Sequence, residues 1–402
     1  MGQIMKILVL NAGSSSHKCC LYAIEGPLPD HPAPPLWEAQ LDWHDPNHAS
    51  LKVKTKRENL EEDLSDVSRA DALSHLLTTL WHGPTQVIQM AQEINVVGHR
   101  VVHGGQDYQS SVVVTSEVKT AIADLIPLAP NHNPANLEGI KLIEQLLGNV
   151  RQVAVFDTAF HSHLPEVAAI YPGPYDWQQQ GIRRYGFHGI SHQYCTQRTA
   201  EILGRGVDRL IICHLGNGAS LTAVKQGQSI DTSMGFTPLE GLMMGTRSGS
   251  IDPGILIHLM RQGYDADQLD HMLNKASGLK GISGVSHDLR EIEQAIAQDN
   301  AQAKLARDLY LHRLKACLGS MLMSLGGVDV LVFTGGIGEH SASVRAETCE
   351  ALAFLGLKLD PILNRKSPVD QDIAAVDSKV RVLVIKTQED WAIAQSCYEQ
   401  CC

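Results

Sequence analysis

Long apolar runs are missing from this chain. No stretch of its 402 residues approaches the roughly 18 consecutive apolar positions that a bilayer-spanning helix needs, so no membrane span is expected. Paired redox and metal motifs are missing as well. The nine cysteines form no CxxC pair and include the neighbours Cys19-Cys20 and Cys401-Cys402, which reads as reduced thiols and a cytoplasmic location. Nineteen histidines invite a zinc site, with His99/His103 and His188/His192 four apart and His161/His163 two apart. No HExxH or cysteine cluster accompanies them, so zinc is not expected. A Walker A loop, GxxxxGK[ST], is absent, as is any low-complexity segment. At the N-terminus only Ile7 to Leu10 lie between Lys6 and Asn11, too short for a secretory core, and Met1-Gly2 lacks the Ser or Thr at position 6 that myristoylation requires. No targeting segment is expected. Positive charge is in deficit: 33 Lys+Arg against 44 Asp+Glu leave a net charge of −11, which repels polyanions, so nucleic acid is not an expected partner.

What is present suits a globular chain of two to three domains, with a 44% hydrophobic and 19% charged composition. Apolar runs and helical spacings alternate. Ile4 to Leu10 and Cys19 to Ile24 read as a strand hairpin around the polar turn Asn11 to Lys18, and Gly26 to Pro35, with five prolines, reads as an extended loop. Helices are expected over Val67–Trp81, Ser116–Ile126, Pro134–Leu147, Ala301–Leu325, Ser343–Phe354 and Glu389–Tyr398, the long one burying Leu305, Leu309, Leu318, Leu322 and Leu325. Strands are expected over Ile94–Val102, Val153–Phe156, Val328–Phe333 and Val380–Ile385, which makes the class α/β. The opening hairpin recurs about two hundred residues on, as Leu210–Cys213, a glycine-containing turn, and Ala219–Val224. Either a duplicated pair of domains facing a shared cleft or two unrelated hairpins gives that pattern.

The chemistry gathers in the turns. In Asn11-Ala12-Gly13-Ser14-Ser15-Ser16-His17-Lys18 small residues let the backbone approach an anion, amides and hydroxyls donate hydrogen bonds, and Lys18 supplies charge. A plain Ser/Gly hairpin turn is the simpler alternative for that segment alone. His214-Leu215-Gly216-Asn217-Gly218 and Gly335-Gly336-Ile337-Gly338 repeat the logic, each after an apolar strand, and three such turns point to a nucleotide. Arg100 and Arg247 are flanked by glycines, as a guanidinium gripping a carboxylate or phosphoryl group would be, although each alone is compatible with a structural ion pair. Asp157 ends a strand and Glu389 opens the last helix. Either can hold Mg²⁺ through oxygen, and Glu389 also suits an ordinary helix N-terminus. His188 is either a buried, hydrogen-bonded histidine or a donor to a phosphoryl group in transfer.

The runs NAGSSSHK, GHRVVHGG, LAPNHNPANL, FDTAFH, YGFHGISH, HLGNGAS, PLEGLMMGTRSG, TGGIGEH and TQEDWAIA, in that order from Asn11 to Ala394, resemble those of the acetate kinases. The resemblance implies two duplicated ribonuclease-H-like domains of the actin-like ATPase class with the active site in the cleft between them. Their expected extents are 1–156 with a returning C-terminal helix 388–402, and 157–387 as the nucleotide-binding and dimerisation domain. It implies a reversible, direct in-line phosphoryl transfer from ATP to acetate, giving ADP and acetyl phosphate, with Mg²⁺ (or Mn²⁺) as cofactor and a homodimer as the assembly. Carried over residue by residue, it implies catalytic roles for Asp157, Arg100, Arg247, His188, His132 and His214. It implies an acetate pocket of Arg100, Val102, Asn131, Phe187 and Pro238, and a metal site at Asn11 and Glu389. Nucleotide contacts are implied for Lys18, His214, Leu215, Gly216, Asn217, Gly218, Asp288, Leu289, Arg290, Gly335, Gly336, Ile337 and Gly338.

Three positions depart from the family pattern. Asn131 stands where Leu is common, which makes one wall of the methyl pocket more polar, Ser250 replaces an aspartate after TRSG, and His340 replaces a frequent asparagine after GGIGE. A propionate or butyrate kinase of the same family is the nearest alternative, because one methylene in an apolar pocket is worth only about 1–3 kcal/mol. An actin- or Hsp70-like ATPase is the other, and it does not account for the paired arginines.

Overall fold

The structure, a computed structural model, describes residues 4–13, 16–45, 47–130, 132–366 and 368–402. Ser14 and Ser15 of the first small-residue turn, and Asn131, lie outside them. The chain divides into two compact units, one running to Ala159 and including Gln388–Cys402, the other Phe160–Thr387.

The first unit is built on strands β1 (Ile4–Ala12), β2 (Ser16–Glu25), β3 (Trp37–Asp45), β4 (His48–Thr55), β5 (Asn59–Ser65), β6 (Val96–Val101), β7 (Val112–Val113) and β8 (Arg151–Phe156), in the sheet order β5-β4-β3-β2-β1-β6-β8-β7. β1 to β5 form an antiparallel meander, β6 and β8 run parallel to β1, and β7 runs antiparallel to β8. The apolar runs in β1 and β6 are central strands, buried from Ile7 to Leu10 and from Val96 to His99, as strands covered on both faces must be. β3 to β5 escape a search for apolar runs because their apolar residues alternate: Trp37, Ala39 and Leu41, then Ala49, Leu51 and Val53, point to the core between polar neighbours. On the outer face Lys52 stands opposite Glu61, 3.8 Å from its carboxylate.

The second unit uses β9 (Arg209–Leu215), β10 (Ala219–Lys225), β11 (Gln228–Thr232), β12 (Val330–Thr334), β13 (Gln371–Asp372) and β14 (Arg381–Val384), ordered β11-β10-β9-β12-β14-β13. Strand for strand this is the β3-β2-β1-β6-β8-β7 core of the first unit, with the same parallel and antiparallel pairings. The recurring hairpin is therefore part of a six-stranded repeat, and β4 and β5 are the first unit's addition to it.

Two expectations shift in detail. Asn11 and Lys18 are not in a turn: they face each other in register on β1 and β2, and Ala12 faces His17. The helix Ala301–Leu325 has the expected ends, capped by Asn300 and by left-handed Gly326, but its buried stripe runs through Ala306, Tyr310, Leu314 and Leu318, one residue later than the first leucine suggests, and Leu305 is exposed. The amphipathic signal is weak because leucines sit on more than one face.

The helix Glu389–Cys401 returns to the first unit and lies on β1 and β6. Its closest approach is at Gly98, where a Cβ would stand 2.5 Å from Cys397 Sγ and 2.6 Å from Ile393 Cγ2. Gly98→Ala is expected to lower stability by about 1–3 kcal/mol through overpacking. Gly139→Ala, in the helix Asn133–Leu147 with only Leu10 Cδ2 at 3.9 Å, is expected to raise it by about 0.5–1 kcal/mol through helix propensity. Urea unfolding midpoints of the two variants check the opposite signs.

Candidate active site

Parallel strands β1, β6 and β8 end at one edge of the first sheet, the edge where α/β proteins bind ligands, and they deliver Asn11, Arg100 and Asp157 side by side. The Arg100 guanidinium donates to Asp157 from Nε (3.2 and 3.1 Å) and from Nη2 (2.5 Å), and from Nη1 to Asn11 Oδ1 at 3.3 Å. Asp157 is buried. Burial by itself lowers the Arg100 pKa, but Asp157, Glu389 and Asp390 outweigh it and hold the guanidinium firmly charged. The first turn of the returning helix brings in the last two: Asn11 Nδ2 donates to Asp390 Oδ1 at 3.0 Å and, more loosely, to Glu389 Oε2 at 3.5 Å. Asp390 was not among the expected residues. Burial, with Glu389 adding, raises its carboxyl above the usual range, opposed by the Asn11 hydrogen bond and by Lys18. Lys18 itself lines a cavity of about 420 Å³ with Asp390, Glu38 and Lys52.

His132 occupies the position before the helix Asn133–Leu147, and Val102 follows β6, buried. Two residues that no motif reading singled out tie this helix to the strand ends: buried Asn136 accepts from Val102 N and donates to Ala12 O, both at 3.1 Å, and buried Asn133 accepts from His103 N at 3.2 Å. Two asparagines on the apolar face of a helix were the available signal.

In the second unit the helix Gly189–Leu203 starts after His188, which holds a left-handed φ of 57°. Its ring stacks on His214 of β9, with centroids 4.4 Å apart. The turn between β9 and β10 runs under both: a Cβ placed on Gly218 would lie 3.3 Å from His188 Nε2 and 3.5 Å from Arg247 Nη1. His188, His214, Gly218 and Arg247 are thus brought together as expected of a site that receives an anion. Arg247 donates to the carbonyl of Pro238 at 3.1 Å, which locates Pro238 at the same place, and Phe187 is buried beside His188. The loop carrying Arg247 is packed without spare room: Gly245 N donates to Asn217 O at 3.0 Å, and a Cβ on Gly278 would strike Met244 O at 2.3 Å.

A cavity of about 410 Å³ is lined by Gly216, Asn217, Asp288, Leu289, Arg290, Gly336 and Ile337, all expected to meet a nucleotide, and by His287, Glu293, His340 and Ser341, which were not. Gly335 to Gly338 form the start of a helix, Gly335–His340, rather than a turn, so backbone N–H groups and the helix N-terminus are what this glycine run presents. Glu339 fastens that helix: its Oε1 accepts from Gly335 N (3.1 Å), Thr387 N and Thr387 Oγ1 (both 2.8 Å). Leu215 ends β9 with its side chain in the core, and Gly338 packs against Phe333, so neither borders the cavity.

Comparison with known proteins gives the family. The acetokinase family model matches residues 6–395. The chain belongs to the acetokinase family. It is 61% identical over 400 residues to an acetate kinase of a Cyanothece species, covering 98% of each chain. Among solved structures it resembles the acetate kinase of Porphyromonas gingivalis (42% identity, TM-score 0.89, 99% of this chain and 100% of that one) and a propionate kinase of Francisella tularensis (39%, 0.90, 98% and 99%). The fold is accordingly the two-domain actin-like ATPase fold, and the protein is a phosphotransferase with a carboxyl group as acceptor.

Buried histidines surround the second-unit cluster. His161 Nε2 donates to Phe187 O (3.2 Å) and Nδ1 accepts from Ser229 Oγ (2.8 Å). Burial, assisted by the Arg184 charge and opposed by the Phe187 bond, lowers its pKa from 6.5 to about 4. The folded state therefore keeps His161 neutral while the unfolded chain takes up a proton below 6.5, so its contribution is complete above 6.5 and is lost as pH falls toward 4. The full shift corresponds to roughly 3 kcal/mol. His161→Gln is expected to flatten the loss of urea stability between pH 7 and pH 4.5 relative to the parent protein.

Proposed function

We propose that this protein is an acetate kinase that transfers the γ-phosphoryl group of ATP directly, in line, to acetate, reversibly. The observation that carries the proposal is the Arg100–Asp157–Asn11 cluster at the ends of three neighbouring parallel strands, in a chain of this family. Arg100, oriented by Asp157, presents its guanidinium to the acetate carboxylate or the phosphoryl group in transfer. Arg247 and the His188 and His214 rings donate to the equatorial oxygens as charge spreads over them, and positioning with charge neutralisation supplies the catalysis without a covalent nucleophile. The family resemblance assigns Val102, Phe187 and Pro238 to the acetate methyl and an assisting role to His132, while Asn131, expected with them, lies outside the described residues. The nucleotide base and ribose occupy the cavity beside Asp288 and Ile337, with the phosphates toward Gly216–Gly218.

Mg²⁺ suits the donor set at the returning helix. This ion takes oxygen ligands through one or two carboxylates plus substrate phosphates, and the carboxylates of Glu389 and Asp390 stand together at the Asn11 amide. Glu389 would hold it. Asn11, whose amide oxygen accepts from Arg100 and whose nitrogen faces the carboxylates, orients them. When bound, the ion offsets phosphate charge.

With ATP, Mg²⁺ and a series of short carboxylates, hydroxylamine trapping is expected to yield acyl hydroxamate, most rapidly from acetate. No hydroxamate from any carboxylate would overturn the assignment. Arg100→Ala and Arg247→Ala are each expected to lower turnover by about 10²-fold or more, the scale for removing a charge-stabilising donor, with ATP binding retained. Propionate is the second reading, favoured by the similarity to a propionate kinase, and the ratio of kcat/KM values in the same series decides it.

The assembly is proposed to be a homodimer through the second unit. The helix Pro253–Arg261 buries none of its residues and exposes Ile255, Ile257 and Met260, an apolar surface that a second copy would cover. Light scattering is expected to show a dimer, and Ile257→Lys a monomer. A monomeric parent protein would remove the basis for this surface. A cytoplasmic location is proposed from the free cysteines; no helix among the described residues is long and apolar enough to cross a membrane.

A further inference from the structure

We propose that Ser220 and His192 are positioning residues that set which ring nitrogen of His188 carries the proton, so that its Nε2–H faces the transferring group. The inference deepens the role given to His188 above and rests on it. Ser220, buried on β10, has its Oγ 3.0 Å from His188 Nδ1 and 2.7 Å from His192 Nε2. A hydroxyl has one proton to give, so it donates to one ring and accepts from the other.

His192 decides the direction. It is wholly buried, and that burial, with His161 and His214 nearby, puts its pKa well below 6.5, so the ring is neutral and carries one N–H. Its Nδ1 has no hydrogen-bond partner among the described residues. A buried N–H without an acceptor is the rarer and costlier orphan, so the proton sits on Nε2 and is donated to Ser220 Oγ. The Ser220 proton then goes to His188 Nδ1. A neutral His188 that accepts at Nδ1 carries its own N–H on Nε2, and Nε2 lies 3.3 Å from where a Gly218 Cβ would stand, a point also 3.5 Å from Arg247 Nη1. The reverse order would turn a lone pair toward the anion.

The backbone is fixed by the same set of rings. His161 donates to the carbonyl of Phe187, the residue before His188, and a Cβ on Gly186, at φ 77°, would lie 2.7 Å from the His161 ring. The His161 and His192 rings meet edge to face, with centroids 5.6 Å apart. Position and tautomer of His188 are thus set by residues that need not touch substrate.

The test is a long-range ¹H–¹⁵N correlation spectrum of histidine-labelled full-length protein, with the His188 signals assigned by their disappearance in His188→Gln. In the parent protein Nδ1 is expected to be the bare nitrogen of His188 and Nε2 the protonated one. In Ser220→Ala, which removes the hydroxyl without adding volume, the two tautomers are expected to mix and kcat to fall on the order of tenfold to a hundredfold, the range for outer-shell partners of a functional histidine. The nucleotide KM is expected to stay within about twofold, and Ser220→Thr, which keeps a hydroxyl, to restore both tautomer and kcat. An Nδ1–H tautomer in the parent protein, or a Ser220→Ala protein with lost activity and an unchanged tautomer, overturns the inference. Normal turnover by His188→Gln instead overturns the catalytic role of His188 and leaves the tautomer assignment standing.

Discussion

The absence of a side chain at Gly98 is the constraint on which the first cluster depends. The returning helix comes so near to β6 that Cys397 and Ile393 occupy the space a Cβ would need. Because that helix begins at Glu389, its depth on the sheet sets where Glu389 and Asp390 stand over Asn11 and Arg100. Gly98 and Arg100 are two residues apart on one strand, so one face of β6 receives the helix while the end of the strand presents the guanidinium. Separation in sequence between Asn11 and Asp390 is therefore closed by packing, and the polar contacts between them follow from it.

The second unit reaches a similar result by other means. Its candidate site groups come from the end of β9, the start of the helix Gly189–Leu203 and the loop around Arg247, and they are held by backbone approaches that exclude side chains. Histidines carry the polar part of that packing. His161, His192 and His214 are paired with Ser229, Ser220 and Ser191, short hydroxyl partners that satisfy a ring nitrogen in a buried place. Their spacing in sequence has no relation to metal ligation, although the same spacing invites a zinc reading.

Much of the fold was legible where strands are buried on both faces, since β1, β6, β9 and β12 show as apolar runs. The meander β3 to β5 was not, because one-sided strands spread their apolar residues over alternate positions among lysines and glutamates, below the threshold of a run. The repeat was visible only as its hairpins: β7 and β13 are two residues long and carry no pattern of their own. Turn motifs located Arg100, Arg247 and the glycine runs, yet misplaced Asn11 and Lys18, because polar residues at the end of a buried strand look like a turn. Asp390, Glu339 and Ser220 could not be read from composition. Each acts through a partner distant in sequence, and only the fold states which partner that is.

Electrostatics then sharpens what the first cluster asks of its ligands. For a chain with net charge −11 whose proposed substrates are anions, a local collection of cations is the simple expectation. Around Arg100 the structure does the reverse, gathering Asp157, Glu389 and Asp390 about one guanidinium, with Lys18 acting on Asp390. Like charges this close raise one another's cost of ionisation, and burial adds to it. On the proposed reading such a cluster receives a polyphosphate together with a divalent cation that balances the acids and the phosphates at once. The acids are then not in conflict with the anionic substrates, since a bound cation would balance both, and Arg100 is held by Asp157 through its Nε and Nη2 groups.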